Sequence, residues 1–193
     1  ETPAYWGRRF AEQCKHLESL VPRIDCWQGL NEPATDPEDN WQNTLEFEMA
    51  FAERCHELGL KSCSLDLSTG SPGNIWRMIQ EQFDPSARDL LSIADYLGHH
   101  VYGGPNDQVM IANQTTDDAC SFALRPRRFK DMYDRRGWRF PPVIATEGST
   151  SAPWHGKYTP DQVYTDLVVM GDYMNADNWW CGYTNFVVGA MCS

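Results

Sequence analysis

Val143-Ile144-Ala145-Thr146-Glu147-Gly148 is an apolar run that closes on a carboxylate, and far upstream Ile24 to Leu30 closes the same way on Asn31-Glu32-Pro33. A short apolar run bounded by turn residues reads as a buried strand, so each glutamate sits at a strand's C-terminal end. Whether those two ends can meet depends on what lies around and between them.

Before the first strand, Thr2-Pro3 supplies an N-cap and a first-turn proline, and Tyr5, Phe10, Cys14, Leu17 and Leu20 recur at helical spacing up to Pro22. After it, Asn43 with Glu46 makes a capping-box pattern. Leu45, Met49, Ala52 and Cys55 form an apolar stripe, and Gly59 is placed to stop that helix. Leu60 to Leu67 reads as a strand, Ile75 to Phe83 and Ala87 to Ile93 as helix broken at Asp84-Pro85, and Tyr96 to Tyr102 as a strand. The polar segment Asn106 to Cys120 is too long for a mere connector. Leu124 to Arg136 reads as a helix closed by Gly137. Thr159-Pro160-Asp161-Gln162 opens the last helix, and Cys181 to Val188 is the last strand.

Five helices therefore alternate with five strands. Strict alternation implies parallel strands joined by right-handed crossovers, hence an α/β fold, either an open sheet or a barrel. No strand is followed by GxGxxG or GxxxxGK[ST], which removes the main reason to choose a nucleotide-binding sheet. In a parallel barrel every strand's C-terminal end faces the same rim, where active sites lie. Glu32 and Glu147 are thus expected to converge, as retaining glycoside hydrolysis requires: one carboxyl, kept protonated by proximity and burial, acts as acid and then base, and an ionised one is the nucleophile. A partial (β/α)8 TIM barrel forming one domain over residues 1–193 is the expectation.

The motifs resemble those of the clan A glycoside hydrolases. Asn31-Glu32-Pro33, then His100-Val101-Tyr102 two strands later, then Thr146-Glu147-Gly148 look like that clan's fourth, sixth and seventh strand ends. The resemblance implies Glu32 as acid/base, Glu147 as nucleophile, Asn31 on the sugar 2-hydroxyl and Tyr102 bonded to the nucleophile. It also implies a retaining glycosidase acting on β-linked poly- or oligosaccharide without cofactor or metal. Strands one to three, and the arginine the clan carries near strand two, have no counterpart, so the competing reading is a carbohydrate-binding or assembly protein built on an incomplete barrel. Closing the barrel then falls to self-association or to a second chain.

Aromatic rings bind sugars by stacking on their apolar faces, and Trp27, Trp154 and Trp180 are candidate platforms beside His100 and Tyr102. Trp41 and Trp76 also fall near the predicted rim, and for any one tryptophan rim packing competes with sugar binding. His99 and His100, adjacent on a strand, must face opposite ways, which argues against a shared metal and makes His99 a packing residue. Asp66 and Ser68 are expected to hydrogen-bond structurally more than to line a subsite.

Composition narrows the partners. The 193 residues are 41% hydrophobic and 22% charged, enough for one core, and a formal net charge of −11 disfavours nucleic acid and anionic membranes while leaving neutral glycans. No run reaches the length of a membrane span and no signal-like stretch opens the chain. A soluble protein is expected, secreted or extracellular, with the cytoplasm as the alternative. The seven cysteines contain no CxxC and no zinc-like pairing with histidine.

Overall fold

The computed structural model describes residues 1–21, 23–103, 110–149 and 158–185. Its five strands, β1 (Trp27–Gln28), β2 (Ser62–Leu67), β3 (Tyr96–Val101), β4 (Val143–Gly148) and β5 (Trp180–Asn185), form one sheet in the order β1-β2-β3-β4-β5, every pair parallel. Because the order never reverses, every right-handed crossover lands on the same face. A sheet covered on one face and curling toward the other is an arc of a barrel, here half of a (β/α)8 barrel.

The helices are α1 (Pro3–Glu18), α2 (Glu38–Glu57), α3 (Ala87–Ile93), the single turn α4 (Thr116–Ala119), α5 (Arg125–Asp134) and α6 (Pro160–Ala176). Their ends follow local chemistry. The Thr2 hydroxyl accepts from Tyr5 N in α1, and both Ser86–Asp89 in α3 and Thr159–Gln162 in α6 form complete capping boxes. Gly59, at φ +73, adopts the left-handed turn that ends α2. The capping box expected at Asn43 does not form, because α2 begins at Glu38 behind Pro37; two acids in its first turn favour the earlier start. Ile75–Ile79 is a 3-10 turn, shorter than the expected helix, and β1 is only two residues long, extended by an isolated bridge between Asn31 and Asp66.

Between sheet and helices lies the main core. Trp41 and Leu45 from α2, Leu90 and Leu91 from α3, and Phe129 and Tyr133 from α5 close over Leu65, Leu67, Leu97 and Val143 of the strands. Each such side chain contributes about 1.5–3 kcal/mol on burial. Trp41 is fully buried here, so it is core and not a rim platform. The stripe expected to bury α1 is likewise corrected. Gly7, Ala11 and Cys14 face α2, whereas Tyr5, Leu17 and Leu20 are exposed.

Candidate active site

The concave face of the sheet carries polar residues, and their centre is Asp66. Fully buried on β2, its carboxylate accepts from Gln28 Nε2 at 2.5 Å, from His100 Nε2 at 3.1 Å and from the Thr146 hydroxyl, which ties β1, β3 and β4 together. Room for it comes from Gly98: a Cβ there would stand 2.5 Å from Asp66 Oδ1. This is the structural hydrogen-bonding role expected for Asp66, with a wider reach. Ser62, Ser64 and Asp66 alternate through a wholly buried strand, and a charge inside such a strand is the signal that marks a buried hub.

His100 occupies the next position outward. Its Nδ1 lies 3.0 Å from Glu32 Oε1, while its Nε2 faces Asp66 and lies 3.3 Å from Glu147 Oε2. Both ring nitrogens thus meet carboxylates, and only the imidazolium can donate from both. Burial pushes the His100 pKa down, but the hydrogen bond and charge of Asp66, joined by Glu147 and Glu32, outweigh it and leave the pKa raised above 6.5. His99 points the other way, as strand alternation requires, with Nε2 3.2 Å from the Phe122 carbonyl; burial lowers its pKa to about 3, so it is a neutral packing residue.

The two glutamates therefore meet on one imidazole. Their nearer oxygens cannot be more than about 9 Å apart, given two contacts of hydrogen-bond scale across one ring. Glu147 is the more enclosed, its side chain 21% exposed, and it accepts a hydrogen bond from the Tyr102 hydroxyl. Glu32 is 52% exposed, so the burial expected of the acid is not found among the described residues. Its backbone φ of +46 lies in the left-handed region, a strain of about 1–2 kcal/mol held by the bond from Glu32 N to Asp66 O at 3.0 Å. Asn31 stands beside it, its Oδ1 accepting from Gln28 Nε2 at 3.1 Å.

Asn31, Glu32, His100, Tyr102 and Glu147 are thus brought together at the carboxyl ends of the strands. The tryptophans are not. Trp27 packs on the helix side with the cluster of Ala11, Cys14 and Phe51, because its place on β1 alternates with Gln28, which faces Asp66. Trp180 is the first residue of β5, paired with Val143 at the opposite end of the sheet, where it stacks on Trp179 at 5.0 Å. Trp154 lies outside the described residues. Trp76 is 59% exposed in the 3-10 turn that follows β2.

One buried residue went unforeseen. Glu48 is fully buried on α2 and accepts from Leu30 N at 2.7 Å, directly behind Asn31 and Glu32. Burial pushes its pKa up to about 8, more than the Leu30 amide pulls it down. Its position three residues after Leu45 and four before Ala52, on the apolar stripe, was the available signal.

No protein family and no curated protein matches the chain in sequence. Solved structures do match in fold. Fpglu1 from fervidobacterium pennivoraus aligns with a TM-score of 0.58 at 14% identity, over 97% of this chain and 53% of that one. The beta-glycosidase from the hyperthermophile Thermosphaera aggregans aligns at 0.57 and 12% identity, over 94% and 50%. A hyperthermophilic beta-glucosidase mutant that forms a dodecameric structure in the crystal aligns at 0.51 and 14%, over 93% and 50%. At such identities the likeness is one of fold, and the chain spans about half the length of each of these structures. Among the described residues no helix is long and apolar enough to cross a membrane.

Proposed function

We propose that this chain carries the two catalytic carboxylates of a retaining β-glycoside hydrolase, Glu147 as nucleophile and Glu32 as acid/base. The observation that supports this most directly is the single His100 imidazole contacting both glutamates at the carboxyl ends of parallel strands, with the Tyr102 hydroxyl on Glu147. The ceiling on their separation includes the roughly 5–5.5 Å of retaining enzymes as well as the wider spacing of inverting ones. Tyr102 favours the retaining assignment, since a donor on a carboxylate oxygen stabilises its ionised form and fixes its aim, as an attacking group needs.

In this reading Glu147 attacks the anomeric carbon while Glu32 gives its proton to the departing oxygen. Glu32 then takes a proton from the water that breaks the glycosyl–Glu147 bond. Asn31, beside Glu32, is placed to bond a sugar hydroxyl. His100, cationic between three carboxylates, offsets their mutual repulsion. The substrate is a neutral β-linked oligo- or polysaccharide, in keeping with the net charge of −11, and a secreted location suits a polymeric substrate.

A second reading, a sugar-binding protein without turnover, draws on the half-length match and on the exposure of Glu32. Incubation with a 2-fluoro-glycoside that traps the glycosyl-enzyme separates the two. A mass increase on the peptide containing Glu147, abolished in Glu147→Gln, supports the hydrolase. Sugar binding with neither label nor hydrolysis supports the binding protein instead.

A further inference from the structure

Along β1 and into the turn after it, the hydrogen-bond ladder to β2 keeps a period of two and then breaks it. Trp27 N donates to Lys61 O and Gly29 N to Cys63 O, both at 2.9 Å. The next bond runs from Glu32 N to Asp66 O at 3.0 Å, three residues on in each segment instead of two. Each side of the ladder therefore carries one residue more than a regular pairing admits, and Leu65, at φ +51, marks the break on β2. The side chains show its effect. Strict alternation puts residues 28 and 31 on opposite faces, whereas Gln28 Nε2 donates both to Asn31 Oδ1 at 3.1 Å and to Asp66 Oδ2 at 2.5 Å on the concave face. The break lets two successive residues, Asn31 and Glu32, both serve the site.

Glu48 fills this break from the helix side. Its Oε1 accepts from Leu30 N at 2.7 Å, an amide that lies between the two ladder bonds of Gly29 and Glu32. From the other side of the break, the Leu65 amide and the Ser64 hydroxyl act on the same carboxyl. Gly29 makes the approach possible, because a Cβ there would collide with both Glu48 oxygens. We propose that Glu48 is a positioning residue for Asn31 and Glu32: by holding Leu30 N it fixes the break in the ladder, and with it the approach of Glu32 to His100. Fully buried on α2, Glu48 meets no substrate and acts through the backbone alone. Its consequence for acid/base chemistry rests on the hydrolase reading; its placement of Glu32 does not.

Two measurements test this, one of them independent of turnover. Burial lowers the His100 pKa, and Asp66, Glu147 and Glu32 raise it, so Glu32→Gln should lower the NMR titration midpoint of His100 in the native chain. Once Glu48→Leu has released Leu30, the same substitution should lower it no further. Glu48→Gln, which keeps an oxygen for Leu30 N, should restore the effect. Gly29→Ala, which drives a methyl into the carboxyl, should act as Glu48→Leu does, and it replaces that variant if leucine prevents folding. An equal shift from Glu32→Gln with and without the Glu48 contact overturns the proposal, as does a glutamine variant that behaves like leucine. In hydrolysis, Glu48→Leu should lower kcat/KM about tenfold to a hundredfold for a sugar leaving group. The loss should be smaller for a nitrophenol, which needs less of the proton from Glu32. An equal loss for every leaving group contradicts positioning of the acid. A native chain that hydrolyses nothing removes the hydrolase reading and leaves the His100 titration to decide where Glu48 holds Glu32.

Discussion

Replacing Glu48 with glutamine should make the protein more stable in base while changing little in acid. Glu48 is completely buried on α2, and its carboxyl has an ordinary value of 4.5 and is pushed up to about 8 in the fold. Between these values the folded chain holds a proton that the unfolded chain has released. The stability this proton represents is present in full below 4.5 and is lost as the pH rises through about 8. At 1.36 kcal/mol per unit, the loss over the window is about 5 kcal/mol. Glutamine stays neutral throughout and keeps an oxygen for Leu30 N. Urea unfolding of both proteins at pH 5 and at pH 8.5 should therefore give a difference between them that opens by several kcal/mol in favour of glutamine. Parallel loss of stability in the two proteins would refute the argument, because the pH dependence would then come from other groups. The residue matters beyond stability, since Leu30 leads directly into Asn31 and Glu32.

Gly98→Ala brings a methyl to 2.5 Å from Asp66 Oδ1; overpacking of this kind should cost about 1–3 kcal/mol in urea unfolding. His100 should titrate above 6.5 by NMR, and Asp66→Asn should bring that value down by removing the charge that raises it most. The stability tied to this group is fully present below 6.5 and fades as the pH rises through the shifted value, so the native chain should lose it in base and Asp66→Asn should show less of that loss. Tyr102→Phe removes a hydrogen bond to a charged group, about 1.5–3 kcal/mol, and should slow fluoro-glycoside labelling of Glu147 about tenfold to a hundredfold while the fold persists; unchanged labelling would remove Tyr102 from the site.

Much of the fold and the heart of the candidate site were legible because they depend on local chemistry. The capping box at Thr159–Gln162, the glycine stop at Gly59 and the apolar runs of β2 to β4 act within a few residues. The period-2 rule separated His99 from His100 and paired His100 with Tyr102. Other features depended on neighbours distant in the chain. Nothing local says that Trp27 turns toward α1 and α2, that Trp180 sits at the amino end of β5, or that α1 presents Tyr5 and Leu17 to solvent.

The sequence alone determined that strands and helices alternate, that they must wind in one sense, and that two glutamates end strands; periodicity, turn chemistry and backbone handedness need no tertiary partner. The tertiary structure decided that one imidazole joins Glu32 to Glu147, that Asp66 anchors three strands beneath it, that Glu48 is shut away behind Leu30, and that both sheet edges lie open among the described residues. Those outcomes follow from which surfaces exclude water when distant segments pack, and that is a property of the assembled sheet and helices, not of any short stretch of chain.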